Sequence, residues 1–206
     1  MKILLTGFEP FGGAAINPSW EAVRRTEVPA GTEAVRICLP VSFREAPRRL
    51  EEAVRRERPD AVVCVGQAGG RTGISLERVA VNLMDARIPD NEGFQPVDEP
   101  ILPEGPAAFL SSLPLRRLEA ALKEAGLPVQ ISNTAGLYVC NCVFYTAAAL
   151  AAKRFPGMQA GFIHVPYLPE QTADEKTPSL CLKDDVHALE TIYAQLVETS
   201  REILNK

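Results

Sequence analysis

The chain has 206 residues, 46% of them hydrophobic and 23% charged, with a net charge of −4. That length suits one α/β domain over residues 1–206 better than two, and the composition is that of a globular protein. No Lys/Arg stripe is present to neutralise phosphates, and no apolar stretch nears the roughly 20 residues that span a bilayer, so neither nucleic acid nor membrane is expected as a partner.

The apolar run behind Met1 and Lys2 is too short for a signal-peptide core and reads as a first strand, which points to a cytoplasmic protein. Five cysteines, an odd number without framework spacing, argue against a disulfide-stapled secreted fold. Cys140 and Cys142 form the only close pair. They lack a second pair or a histidine cluster nearby, so neither a metal nor another cofactor is expected.

Residues 2–6 (KILLT) form a short apolar run ended by Gly7, as a buried parallel strand would. Asn17 as N-cap and Pro18 at the first helical position open a helix over 18–27. A strand at 34–39, an amphipathic helix at 44–57 and a strand at 60–65 follow. This β-α-β-α-β order implies a mostly parallel sheet with helices on both faces. Residues 74–83 alternate like a strand, and 84–106 form a long loop rich in Pro, Asp, Glu and Gly. A helix at 107–125, a strand at 128–132, a helix at 139–154, a strand at 160–165 and a helix at 183–204 complete the chain.

In an open parallel sheet, ligands bind beyond the carboxyl ends of the strands. Four unusual segments are expected there: GFEPFGG after the first strand, GQAGGR after 60–65, SNTAGLYVCN after 128–132 and HVPYLPEQ after 160–165. Cys140 falls in the first turn of a helix, where free N–H groups and the helix dipole favour a thiolate and could receive an oxyanion. Cys142 lies about 200° further round, so only one of the two thiols can face a given cleft. Spacing favours Cys140 without settling the choice.

The chain has two histidines. His187 sits among acidic residues of the terminal helix and reads as surface, whereas His164 ends an apolar strand on the ligand side and suits a general base. Glu77, interrupting an apolar alternation, is the leading partner for it, with Asp85, Asp90 and Asn141 as rivals. Cys38 and Cys64 read as core, and Cys181 as surface. Neither glycine-rich turn matches a dinucleotide or P-loop fingerprint. Phe8 and Phe11 could wall an apolar cage for a small flat ring, or both belong to the core. A phosphate-dependent enzyme resembling a nucleoside phosphorylase, or a binding module, remains the competing class.

Taken together, LLTGFEPFGG with NPSW, GQAGGR, SLERVAVNLMDARIPDNEG, SNTAGLYVCN and GFIHVPYLPEQ resemble the pyroglutamyl peptidase I family of cysteine peptidases over nearly the whole chain. The resemblance implies a three-layer α/β/α sandwich and hydrolysis of the amide after an N-terminal pyroglutamyl residue of peptides. It places Cys140, His164 and Glu77 as a triad working through a thioester, which selects Cys140 over Cys142. It further implies that Phe8 and Phe11 pack on the substrate ring, that Asn17 and Gln67 supply polar contacts, that Arg87 assists at the oxyanion, and that the protein is a homotetramer.

Overall fold

The computed structural model describes residues 1–174 and 176–204. In chain order the elements are β1 (Lys2–Phe8), α1 (Pro18–Arg25), β2 (Glu33–Leu39), α2 (Glu45–Glu57), β3 (Ala61–Gln67), β4 (Ile74–Glu77), β5 (Val79–Val81), β6 (Ala108–Leu110), α3 (Leu115–Glu124), β7 (Val129–Ser132), α4 (Val139–Lys153), β8 (Gln159–Val165) and α5 (Leu182–Leu204). Six strands form one sheet in the order β2-β1-β3-β8-β4-β7.

The continuous apolar runs occupy the middle of this sheet because both of its faces are covered. Successive side chains point to opposite faces. Ile3, Leu5, Val63, Ile163 and Val165 therefore join Val23, Leu118, Leu122 and Ile192 in one core, under α1, α3 and α5. Leu4, Val62, Cys64 and Phe162 join Leu50, Val143, Phe144 and Ala147 in the other, under α2 and α4. The result is a three-layer α/β/α sandwich. The start of α1 follows the sequence chemistry, with Pro18 in its first turn and Asn17 accepting the Ser19 N–H.

Two expected elements are revised. The alternating run 74–83 is not one strand, because the chain changes sheets at Arg78. Its N–H donates to Ser132 O (2.8 Å) beside β7, and its carbonyl accepts from Ser111 N (2.9 Å), next to β6. β5 and β6 then pair as a separate two-stranded sheet. The helix expected from 107 begins only at Leu115, after Pro114 at its N-cap. Residues 108–110 are drawn into β6 instead, where Phe109 packs on Tyr145 with ring centroids 5.0 Å apart.

The sheet is mostly parallel, but β4 runs antiparallel to β8. A parallel neighbour would need a crossover of a dozen or more residues. Only residues 68–73 separate β3 from β4, so the chain turns back at the carboxyl edge of the sheet. β7 is parallel to β4 and therefore ends at the far edge. The SNTAG segment thus does not leave the strand on the ligand side, as the sequence pattern implies. Residues 133–138 double back to bring the start of α4 there.

Candidate active site

A cavity of about 460 Å³ opens at the carboxyl ends of β1, β3 and β8, and Phe8, Phe11, Asn17, Gln67, Arg87, Cys140 and His164 all line it. Glu77, the remaining residue expected here, stands directly behind His164. A larger groove of about 620 Å³ lies beyond α4, lined by Cys142, Phe43 and Phe94 among others, but neither histidine borders it. Size therefore does not mark the site. The meeting of a thiol, an imidazole and a carboxylate does.

His164 and Phe162 lie on the same face of β8, and Ser75 and Glu77 are the register partners of His164 and Phe162 on β4. The antiparallel pairing consequently points Glu77 toward the imidazole, and Glu77 Oε1 lies 2.8 Å from His164 Nδ1. Arg71 Nη1 donates to the same oxygen at 2.5 Å, and Arg71 Nη2 donates to Thr134 O at 3.0 Å. An oxygen already accepting from a guanidinium accepts from the imidazole as well. Nδ1 thus carries the proton, and Nε2 is left as the basic nitrogen. Glu77 is fully buried and His164 is 3% exposed. Burial holds His164 below the usual histidine range, although Glu77 pulls the other way.

Cys140 is the second residue of α4, whose N-cap, Tyr138, makes no side-chain capping bond. The first N–H groups of an α-helix lack intrahelical acceptors, so an uncapped start beside the cavity offers donors for a developing negative charge. The sulfur lies over Gly66, the register partner of His164. A Cβ at Gly66 would stand 2.8 Å from Cys140 Sγ and 2.7 Å from the Phe162 ring. Only glycine leaves room for the thiol above this strand. The helix terminus alone predicts a thiolate, but burial, followed by the nearby Glu77, pushes the Cys140 thiol up to about 12. Both shifts favour the uncharged forms of the two side chains.

The other cysteines separate from this chemistry. Cys142, on the opposite side of α4, is 2% exposed in the core, with its sulfur 3.8 Å from Phe43 O. Cys64 is buried, Cys38 half-buried and Cys181 exposed. The rivals of Glu77 have other work. Asp90 accepts from the N–H groups of Phe43, Glu92 and Phe94, each at 2.9 Å, which fixes the loop beyond Asp85. Asn141 donates to Val81 O and Leu83 O and accepts from Val81 N, holding β5 on α4. Asp85 is exposed.

Phe8 serves two surfaces at once, since it is 2% exposed in the core and also borders the cavity. Phe11 is half-buried and faces Tyr138 with centroids 6.3 Å apart. Asn17 borders the cavity, but its polar atoms are engaged: Oδ1 accepts from Ser19, and Nδ2 donates to Glu9 O at 2.9 Å. Gln67 Oε1 accepts from Gln171 Nε2 at 3.1 Å. Arg87 reaches the cavity from the 84–106 loop. The sequence reading does not single out Arg71, Tyr138 or Gln171. Arg71 offers one signal, a cation ending a glycine-rich turn six residues before Glu77.

The pyroglutamyl peptidase family model matches residues 1–199. The pyrrolidone-carboxylate peptidase of Streptomyces coelicolor is 47% identical over 203 residues, 98% of this chain and 94% of that protein. The protein of the same name from Thermococcus onnurineus is 49% identical over 193 residues, 93% of this chain and 96% of its own length. Among solved structures, the pyroglutamyl peptidase I of Bacillus amyloliquefaciens superposes with a TM-score of 0.89 at 47% identity, covering 93% of this chain and 94% of that one. A mutant pyrrolidone carboxyl peptidase from P. furiosus gives a TM-score of 0.92 at 41% identity, covering 96% and 99%. A match this complete in sequence and in fold means that the chain belongs to the pyroglutamyl peptidase family.

Proposed function

We propose that this chain hydrolyses the amide bond after an N-terminal pyroglutamyl residue of peptides, with Cys140 as nucleophile, His164 as general base and acid, and Glu77 as the group that orients the imidazole. The observation that carries this reading is the 2.8 Å Glu77–His164 bond behind a cavity wall that also holds Cys140.

His164 Nε2 takes the thiol proton as Sγ attacks the pyroglutamyl carbonyl carbon, and the C–S bond forms as the carbonyl π electrons move onto oxygen. The free N–H groups at the start of α4 and the Arg87 guanidinium hold that oxyanion. On collapse the C–N bond breaks, and the amine leaves with the proton from His164. Water, deprotonated by the same nitrogen, then cleaves the thioester and restores the thiol. Glu77 keeps Nδ1 protonated throughout and stabilises the imidazolium formed in each step.

Phe8 and Phe11 give the substrate ring an apolar wall. Pyroglutamate carries no charged α-amine, whereas a free N-terminal Glu or Gln would bring an ammonium into the same space, at a cost of several kcal/mol. Gln67, at the end of β3, offers the lactam a polar partner, and Asn17, whose amide is held by Ser19 and Glu9 O, retains one N–H for it. The test is release of a fluorescent amine from a pyroglutamyl amide set against the matching glutaminyl amide, in reductant. Equal rates on the two, or turnover that requires added phosphate, would overturn the assignment.

Truncating Phe8 would also remove core packing, at about 3–5 kcal/mol, so Phe11 is the cleaner probe. Phe11→Ala should lower kcat/KM for a pyroglutamyl amide roughly 10-fold or more while leaving the melting temperature near that of the parent. Unchanged kcat/KM would remove Phe11 from the ring site. The direction of the two shifts makes its own prediction. His164 must be unprotonated to accept the thiol proton, and its pKa is held below 6.5. Activity should therefore rise with pH along an acid limb that lies below 6.5, and the resting enzyme should show no thiolate absorbance at pH 7. A thiolate signal there would replace the neutral pair with an ion pair.

A cytoplasmic setting fits five free thiols. The family resemblance implies a homotetramer. Light scattering that gave a monomer mass would remove it.

A further inference from the structure

We propose that Arg71 is a positioning residue for the hydrolytic reaction, holding Glu77 and the chain leading into α4 in one register so that His164 faces Cys140. This rests on the reading of the site given above and extends it to a residue outside the triad.

The geometry is that of a fork with its two prongs in different segments. Nη1 donates to Glu77 Oε1 at 2.5 Å and Nη2 donates to Thr134 O at 3.0 Å. Glu77 belongs to β4, whereas Thr134 lies in the stretch that doubles back from β7 to the start of α4. That stretch begins at the wrong edge of the sheet for Cys140, and Arg71 spans from the 68–73 turn to tie it in place. A planar guanidinium can satisfy both acceptors at once, and a lysine ammonium lacks that fixed fork.

The bond to Glu77 has a second consequence. The Glu77 side chain is fully buried, the Arg71 side chain is 21% exposed, and Glu77 Oε2 has no hydrogen-bond partner among the described residues. All of the polar contact recorded for this carboxylate thus runs through one oxygen shared by Arg71 and His164. Without Arg71 the carboxylate is free to rotate, and the Nδ1–H that it fixes loses its direction. The charged and titratable groups around His164 are Glu77 from β4, Arg71 from the 68–73 turn, Cys140 from α4 and, across the cavity, Arg87 and Tyr138. Of these, Arg71 opposes a proton on His164 and favours the thiolate of Cys140. These two charge effects oppose each other in the thiol-to-imidazole proton transfer, so Arg71 acts through the geometry of Glu77 rather than through its charge alone.

The experiment compares parent, Arg71→Met, Arg71→Lys, Glu77→Gln and the Arg71→Met/Glu77→Gln double variant. The readouts are kcat and KM on a pyroglutamyl amide, and the pH profile of Cys140 alkylation by iodoacetamide, which needs no substrate. Arg71→Met should lower kcat roughly 10²-fold with KM little changed, and should move the acid limb of alkylation to higher pH. Arg71→Lys should return the limb toward its parental position and recover only part of kcat. In the Glu77→Gln background, Arg71→Met should add little, because it acts through Glu77. Losses that multiply in the double variant, or a parental pH profile in Arg71→Met, would reduce Arg71 to an ordinary structural contact. If Arg71→Met does not fold, Arg71→Lys decides, and a parental kcat there overturns the proposal. A parent inactive on pyroglutamyl amides whose alkylation limb still moves in Arg71→Met would retain the positioning role and discard the peptidase reading.

Discussion

Replacing Cys140 with alanine should abolish turnover of a pyroglutamyl amide, by a factor of about 10⁴ or more, while shifting stability by no more than about 1 kcal/mol. The size follows from the loss of bond-making itself, since no other thiol faces the histidine. Cys142 sits two residues away on the far side of α4, in the core, so Cys142→Ala should keep catalysis and lose some stability instead. The pair of variants therefore separates chemistry from packing within a single turn of helix. Steady-state kinetics and thermal melts of both check it. A Cys140→Ala protein retaining more than about a hundredth of parental kcat/KM would remove this residue from the reaction.

The second large effect is on stability and lies far from the cavity. Asp185, near the start of α5, is completely buried, and neither carboxyl oxygen has a hydrogen-bond partner among the described residues. Burial, aided by Asp184, pushes its pKa up to about 8. In the unfolded chain the same group titrates near 4. Its contribution is therefore most favourable below about pH 4, where both states are protonated, and is lost progressively as pH rises from about 4 to about 8. Above that it stays lost, because folding must then bury a charge or take up a proton. Asp185→Asn cannot ionise and should flatten this slope, leaving the variant more stable than the parent at pH 8 by a few kcal/mol. Melting temperatures from pH 5 to 9 check it. Parallel curves for the two proteins would show that Asp185 ionises as readily in the fold as outside it.

Much of the fold was legible because its strands and helices announce themselves locally. KILLT and GFIHV are apolar throughout, as strands covered on both faces must be, and Asn17-Pro18 opens α1 as helix chemistry requires. What could not be read locally was set by partners distant in the chain. Residues 107–114 carry a helix-compatible pattern, yet Phe109 and the Pro106 carbonyl are claimed by Tyr145, and the strand pairing β5–β6 wins over propensity. The reversed direction of β4 follows from the six residues after β3, a length argument available in the sequence but decisive only once β8 is known to lie between them.

The candidate site divides in the same way. Cys140, His164 and Glu77 stand out as reactive types in apolar or glycine-rich settings. Arg71 does not, because an arginine at a loop end is ordinary until its guanidinium is seen on Glu77 and Thr134. Asn17 stands out in part for a structural reason, since it caps α1 and donates to Glu9 O.

The position of β8 carries a consequence for how the molecule comes into being. It is the last strand in the chain, yet it sits in the interior of the sheet, between β3 and β4. Without β8 the sheet would divide into β2-β1-β3 and β4-β7, each with an open edge where β8 belongs. Such edges invite pairing with other chains, and closing them demands contacts between residues far apart in sequence, which are slow to form. The same insertion event brings His164 to Glu77, 87 residues away in the chain. On the proposed reading, a chain that ends before His164 lacks the imidazole as well as the strand that joins the two fragments, so it should be both aggregation-prone and inactive.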